Sequence, residues 1–255
     1  MKSIFVAGLQ IEVLDLPATC PHTPTLVLLH EGLGCIAMWR DFPQQLAAAT
    51  GCRVVAYSRP GYGHSDPWPT PRQPDYMHRE GEVFLPEVLR ALAIEQPVLV
   101  GHSDGGSIAL IFAGCYPEAL RGLVVMAPHE FVEPETLAGI VAARQLWETS
   151  DWPRRLARYH RDAAQVFADW NDCWLSPAFR DWNIEAYLPS IRCPVLAMQG
   201  RDDEYATLRQ IEVIAEQAAD VRMVLLDACG HSPHRDQGVQ VVDEIRDFLG
   251  SLHAA

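Results

Sequence analysis

Short apolar runs punctuate the chain at regular intervals, separated by segments with the spacing of amphipathic helices. Thr25-Leu26-Val27-Leu28-Leu29, Arg53-Val54-Val55-Ala56-Tyr57, Val98-Leu99-Val100, Leu123-Val124-Val125-Met126, Pro194-Val195-Leu196-Ala197-Met198 and Met223-Val224-Leu225-Leu226 carry almost no polar residue. Runs this short and this apolar predict strands buried on both faces. Ile4–Val6 and Ile11–Leu16 flank Ala7-Gly8 and predict an opening hairpin. Between the runs, Trp39–Thr50, Met77–Ile94 with Pro86 as a kink, Ser107 to about Tyr116, Thr207–Ala219 and Val239–Leu252 predict helices. Strands alternating with helices imply parallel βαβ units and an α/β fold.

The rhythm breaks from about Glu130 to Pro189. That stretch holds no strand pattern, and five of the seven tryptophans lie in it, at 147, 152, 170, 174 and 182. It predicts a helical insertion, with residues 1–129 and 190–255 forming the core. Its aromatic residues either pack it onto that core or present an apolar underside to a substrate pocket.

Composition narrows the function classes. A formal charge of −13 over 255 residues opposes binding to nucleic acid or an anionic membrane surface. No apolar stretch reaches membrane-spanning length, and residues 1–8 contain no signal-peptide core, so a cytoplasmic location is expected. The seven cysteines are odd in number and show no Cys-x-x-Cys spacing, which fits free thiols in a reducing compartment. Ten histidines without a compact ligand motif predict no metal site.

The candidate chemistry gathers at strand ends, where open α/β sheets place their sites. Gly101-His102-Ser103-Asp104-Gly105 lies between a predicted strand and a predicted helix. Strand, tight turn and helix around Gly-x-Ser-x-Gly expose the serine at the apex. A hydroxyl needs a base within reach, the base needs a carboxylate to fix its tautomer, and a developing oxyanion needs backbone amides. Other strand ends offer His30–Gly34, Ser58–Asp66, Asp202–Glu204 and His231.

With these segments the chain resembles the α/β-hydrolase family across essentially its full length. Gly101–Gly106 resembles the family's nucleophile elbow, His30-Glu31-Gly32-Leu33-Gly34 its oxyanion loop, and Ser58–Ser65 its Arg-Gly-x-Gly-x-Ser turn. Gly200-Arg201-Asp202-Asp203 and Gly230-His231 resemble the segments bearing acid and base. The resemblance implies a mostly parallel sheet covered by helices on both faces, with residues 130–189 standing where the family carries its helical cap. It implies Ser103 as nucleophile, His231 as base with His234 as the alternative, and Asp203 as acid with Asp202 as the alternative. It implies oxyanion donors at Gly32, Leu33 and Asp104, and no metal or organic cofactor. Glu31 and Pro60 depart from usual glycine positions. His102 reads as a packed neighbour, His30 as an organiser of its loop, and His234 as a surface or loop histidine. His129 and Glu130 line a pocket or simply form a loop.

The expected activity is hydrolysis of a small ester, lactone or thioester through an acyl-enzyme. A carbon–carbon bond hydrolase with the same triad, and a non-catalytic ligand-binding protein, are the alternatives. The partner is a small molecule, and oligomeric state is left open. The side chain of Asp104, with Glu31, offers a site for a substrate amine, or Asp104 merely favours the helix start as an anion.

Overall fold

The computed structural model describes residues 2–252. An opening hairpin, β1 (Lys2–Val6) and β2 (Leu9–Leu16), turns through Ala7 and Gly8, both at positive φ (50° and 82°), as a two-residue hairpin turn requires. β3 (Thr25–Leu29), α1 (Phe42–Thr50) and β4 (Arg53–Tyr57) follow. α2 (Tyr76–Arg79) continues through a π turn at Glu80–Phe84 into α3 (Leu85–Ala91). Then come β5 (Val98–His102), α4 (Asp104–Cys115) and β6 (Gly122–Met126). α5 (Pro134–Thr149), α6 (Trp152–Leu156) and α7 (Ala163–Leu175) precede β7 (Val195–Gly200), and α8 (Arg209–Gln217), β8 (Val221–Leu226), α9 (Pro233–Asp236) and α10 (Gly238–Ser251) complete the chain.

The eight strands form one sheet in the order β1-β2-β4-β3-β5-β6-β7-β8. β1 and β2 pair antiparallel, as do β2 and β4, and every other pairing is parallel. Alternation sorts the strand side chains to two faces. Val27, Leu29, Val55, Leu99, Val125 and Ala197 join the core under α2–α4 and α7, while Leu26, Leu28, Val54, Val100, Met126 and Met198 pack against α1 and α10. Covered on both sides, these strands have no polar face, hence their unbroken apolar sequence.

Three elements differ from the sequence expectation. Trp39–Thr50 is not one helix: a 3-10 turn at Ile36–Trp39 ends at Arg40 (φ 55°), and α1 begins at Phe42 with Pro43 in its first turn. α4 begins at Asp104 rather than Ser107, because Asp104-Gly105-Gly106 shows no apolar periodicity. The kink at Pro86 is realised as the preceding π turn. Proline has no N–H for the carbonyl four residues back, Glu82, and that carbonyl accepts a hydrogen bond from the Tyr116 hydroxyl at 2.7 Å.

Residues 127–194 contribute no strand to the sheet. Their helices are held by aromatic stacking, Trp147 on Phe167 at 4.1 Å and Phe179 on Trp182 at 5.3 Å between ring centroids. No helix among the described residues is long and apolar enough to cross a membrane.

Candidate active site

Ser103 stands between the end of β5 and the start of α4 with φ 52° and ψ −123°, a strained conformation for a residue with a side chain. The turn closes through close backbone packing. A Cβ on Gly105 would lie 2.0 Å from the Leu29 carbonyl oxygen, and one on Gly101 would lie 2.3 Å from that of Gly105. Both glycines are therefore dictated by space. The Ser103 amide donates to Met126 O at 2.9 Å, tying the apex to the next strand.

His231 and Asp203 come to this serine from the ends of β8 and β7. His231 Nε2 lies 2.9 Å from Ser103 Oγ, and His231 Nδ1 lies 2.9 Å from Asp203 Oδ1 and 3.0 Å from Oδ2. Asp203 is fixed in turn by the Tyr205 amide at 2.9 Å and Gln199 Nε2 at 3.3 Å. Burial opposes charge on both partners, but their mutual attraction outweighs it: the His231 pKa lies above its ordinary value and that of Asp203 below. Asp202 is exposed and makes no such contact. His231 is also anchored by its backbone, its amide donating to Glu204 Oε2 at 3.1 Å and its carbonyl accepting from His102 Nε2 at 2.6 Å. His102 is thus the packed neighbour expected. His234 corrects its expectation: it is buried, with its ring 4.7 Å from Trp39 and 5.4 Å from Phe42, because α9 folds it under the elbow.

The loop after β3 is held by two histidines and an arginine. His30 Nε2 accepts from the Arg59 amide at 3.0 Å, which leaves Nδ1 to donate to Glu31 O at 2.8 Å. Burial, then the Arg59 charge, keeps this ring well below its ordinary pKa and neutral. Arg59 Nη2 and the Gly34 amide also donate to Glu31 O, at 2.8 and 3.1 Å. In a trans peptide the N–H opposes the C=O, so three donors on Glu31 O fix the direction of the Gly32 N–H. His160, from between α6 and α7, accepts from the Gly63 amide through Nδ1 at 2.8 Å and donates through Nε2 to Leu33 O at 3.0 Å. Neither the Gly32 nor the Leu33 amide has a partner among the described residues, and the Asp104 amide is the first of α4, without an intrahelical acceptor. These are the three amides expected as oxyanion donors, and all three residues line one cavity with Ser103.

That cavity has a volume of about 270 Å³. Ser103 and His231 open onto it, with Trp152 from α6, Trp170 and Trp174 from α7, Ile140, Tyr205 and His129. Three of the five tryptophans between residues 130 and 189 therefore wall it, while Trp147 packs on Phe167 and Trp182 on Phe179 and His78. Burial, with the His231 charge next, pushes His129 down to about 3. Glu130 faces elsewhere. Both its oxygens are buried without partners, and burial with neighbouring Glu133 and Glu185 drives it well above the carboxylate range.

Three carboxylates border the cavity: Glu31, Asp104 and Glu204. Glu31 folds over Gly34 and faces His102 Nδ1 at 3.6 Å. Burial pushes its pKa up, yet the facing His102, with His30, holds it far below the usual carboxylate range. The Asp104 side chain does not cap α4. Its Oδ2 accepts from the Tyr76 hydroxyl at 2.6 Å with Arg59 Nη2 at 3.8 Å, and its Oδ1 is buried without a partner. Tyr76 OH in turn accepts from Trp174 Nε1 at 3.1 Å. Arg59, Tyr76, His160 and Glu204 were not singled out in the sequence as site residues. Arg59 and Glu204 lay within strand-end segments that the sequence offered, and Tyr76 and His160 carried no signal. No group of three or more His, Cys, Asp or Glu among the described residues is placed to hold a metal ion.

A family model described as alpha/beta hydrolase fold matches residues 24–164. The chain belongs to the α/β hydrolase fold family. The 2-hydroxymuconate semialdehyde hydrolase of Pseudomonas sp. (strain CF600) is 26% identical over 281 residues, covering 100% of this chain and 95% of that protein. Serine hydrolase BPHL of Mus musculus is 27% identical over 216 residues, covering 82% and 74%. Among solved structures, the enol-lactonase from Burkholderia xenovorans LB400 superposes with a TM-score of 0.76 at 22% identity, covering 98% of this chain and 100% of its own, a likeness of fold. As an α/β hydrolase with relatives of this kind, the protein is a hydrolase enzyme. The bond it cleaves is a separate question.

Proposed function

We propose that this hydrolase cleaves a small carboxylic ester, lactone or thioester through an acyl-enzyme. Ser103 attacks the carbonyl carbon as His231 Nε2 takes its proton, and Asp203 holds the ring with Nδ1–H toward itself and stabilises the imidazolium. The amides of Gly32, Leu33 and Asp104 receive the oxyanion. His231 returns the proton to the leaving group, which departs. A water then gives its proton to His231, attacks the acyl carbon, and releases the acid and free Ser103.

The observation carrying this reading is the unbroken relay Ser103 Oγ, His231, Asp203, with 2.9 Å at each link. Its test is reaction with a fluorophosphonate probe together with a panel of short-chain aryl esters, lactones and acyl thioesters. Labelling and turnover that vanish in Ser103→Ala support it, and activity surviving in that variant refutes it. Residues 130–189 serve in this reading as a cap whose tryptophans wall the acyl site.

The partnerless Asp104 Oδ1, in a cavity also lined by Glu31 and His129, suits a substrate amine. Because Arg59 already offsets part of the Asp104 charge, the preference for α-amino esters over matched des-amino esters is about tenfold, worth about 1.4 kcal/mol. Equal kcat/KM for the two removes this part of the proposal. A carbon–carbon bond hydrolase is the second reading, favoured by the relative named for 2-hydroxymuconate semialdehyde. Turnover of a dienol diketone faster than of any ester would establish it.

A further inference from the structure

A second hollow, of about 230 Å³, adjoins the active-site cavity and shares Met38, Trp152 and Arg235 with it. Arg40, Arg155 and Tyr159 continue its wall, and no carboxylate lines it. Three guanidinium groups in a lining without a carboxylate run against the bulk charge of −13. They come from distant parts of the sequence: Arg40 closes the 3-10 turn before α1, Arg155 lies in α6, and Arg235 in α9. The side chains of Arg40 and Arg235 have no hydrogen-bond or ion-pair partner among the described residues, and Arg155 meets only exposed Asp151, at 3.3 Å.

We propose that this hollow is a subsite for an anionic group, carboxylate or phosphate, on the leaving-group side of the substrate. The inference rests on the hydrolase reading above and names the class of substrate for that site. Charge sorts the two ends. The inner cavity sets Glu31, Asp104 and Glu204 against Arg235 and disfavours an anion, whereas the adjoining hollow is lined by Arg40, Arg155 and Arg235 with no carboxylate. Geometry assigns the side: the leaving group takes its proton from His231 Nε2, and α9, bearing Arg235, begins two residues beyond His231. A leaving group passing that ring meets Arg235 first, and its far end meets Arg40 and Arg155.

The test compares kcat/KM for 4-(butyryloxy)benzoate and 4-(butyryloxy)phenyl phosphate with that for methyl 4-(butyryloxy)benzoate, a neutral ester of similar leaving group. The anionic esters are expected to lead by roughly fivefold to tenfold, the scale of a few exposed charge contacts. The lead collapses toward unity in Arg40→Gln/Arg235→Gln and at about 0.5 M salt, where exposed charges are screened. The larger lead of the two identifies carboxylate or phosphate as the natural group. A ratio of one or less in the unaltered enzyme, a ratio indifferent to the arginines, or a greater gain from an anion on the acyl side (monophenyl glutarate) overturns the proposal while the neutral ester still reports the hydrolase. Binding decides independently of turnover. Ser103→Ala titrated calorimetrically is expected to hold 4-hydroxybenzoate more tightly than its methyl ester, with the difference lost on removing both arginines. Equal affinities overturn the subsite even if neither ester is cleaved.

Discussion

Replacing Tyr76 by Phe removes one oxygen atom and disturbs two buried polar groups. The hydroxyl donates to Asp104 Oδ2 at 2.6 Å and accepts from Trp174 Nε1 at 3.1 Å. Asp104 Oδ1 is already without a partner, so the variant leaves the carboxylate with Arg59 at 3.8 Å as its remaining support. A hydrogen bond to a charged group contributes about 1.5–3 kcal/mol, and an orphaned buried donor such as the indole N–H costs about 1–3 kcal/mol. The expected loss is about 3 kcal/mol, a large share of the roughly 5–15 kcal/mol that holds a domain folded. In a chain of this size that lowers Tm by about 6–12 °C. Denaturant titration gives the free energy directly, through a lower midpoint at unchanged slope. The ring remains, so the Arg72 guanidinium keeps its place 4.8 Å above it and packing is preserved. In a Trp174→Phe background the same substitution costs about 1 kcal/mol less, because no indole N–H is left to orphan. A loss below about 1 kcal/mol in the single variant, or no coupling to Trp174, refutes the view that this hydroxyl anchors Asp104.

Gly105→Ala drives a methyl group to 2.0 Å from the backbone oxygen of a central strand, so a loss above about 4 kcal/mol or failure to fold is expected. Gly250→Ala, in open space on α10, raises stability by about 0.5–1 kcal/mol, and denaturant titration of the pair checks both. Asp203→Asn lowers kcat by about 10⁴-fold on the triad reading. Activity needs neutral His231, so the wild-type rate falls as pH drops through its raised pKa, and that limb moves to lower pH in the variant. An unmoved limb in the pH profile contradicts the coupling. His129 falls to about 3 when folded against about 6.5 unfolded, so the unfolded chain takes up the proton first. The stability this ring contributes is present above the unfolded value and lost as pH falls toward 3, about 1.4 kcal/mol of it by about pH 5.5. His129→Phe should flatten the fall in unfolding free energy between about pH 7.5 and 5.5 by that amount, and an unchanged slope discards the assignment.

The sheet was legible because burial on both faces keeps Leu26–Leu29, Val98–Val100, Leu123–Met126 and Val195–Met198 wholly apolar. The opening turn was legible because Gly8 supplies its positive φ cheaply. Where local pattern and conformation part, the reading slipped. Arg40 carries no sequence sign of the left-handed backbone that splits the predicted helix, and Gly105-Gly106 hides the first turn of α4. The strand-end residues Ser103, Asp203 and His231 were visible as chemistry at predictable places. The roles of Arg59, Tyr76, His160 and Glu204 were not, because they lie in partners 28, 28, 127 and 27 positions away. His234 was misjudged for the same reason: its burial is a property of Trp39 and Phe42.

The widened turn at Glu80–Phe84 has a consequence for chain length. An α-helix advances by about 100° per residue, and the wider π turn takes one extra residue to cover the same rotation. The five residues Glu80–Phe84 therefore carry the helix about as far round as four do in regular winding, so α2 and α3 keep a common angular phase across the widened turn. α3 is pinned to the core by Leu85, Val88 and Leu89, and that shared phase keeps the Tyr76 hydroxyl on Asp104. Removing a single residue from Glu80–Phe84 would restore regular winding without turning Tyr76 away, and its cost would fall instead on the ring of Pro86, which then meets the carbonyl four residues back.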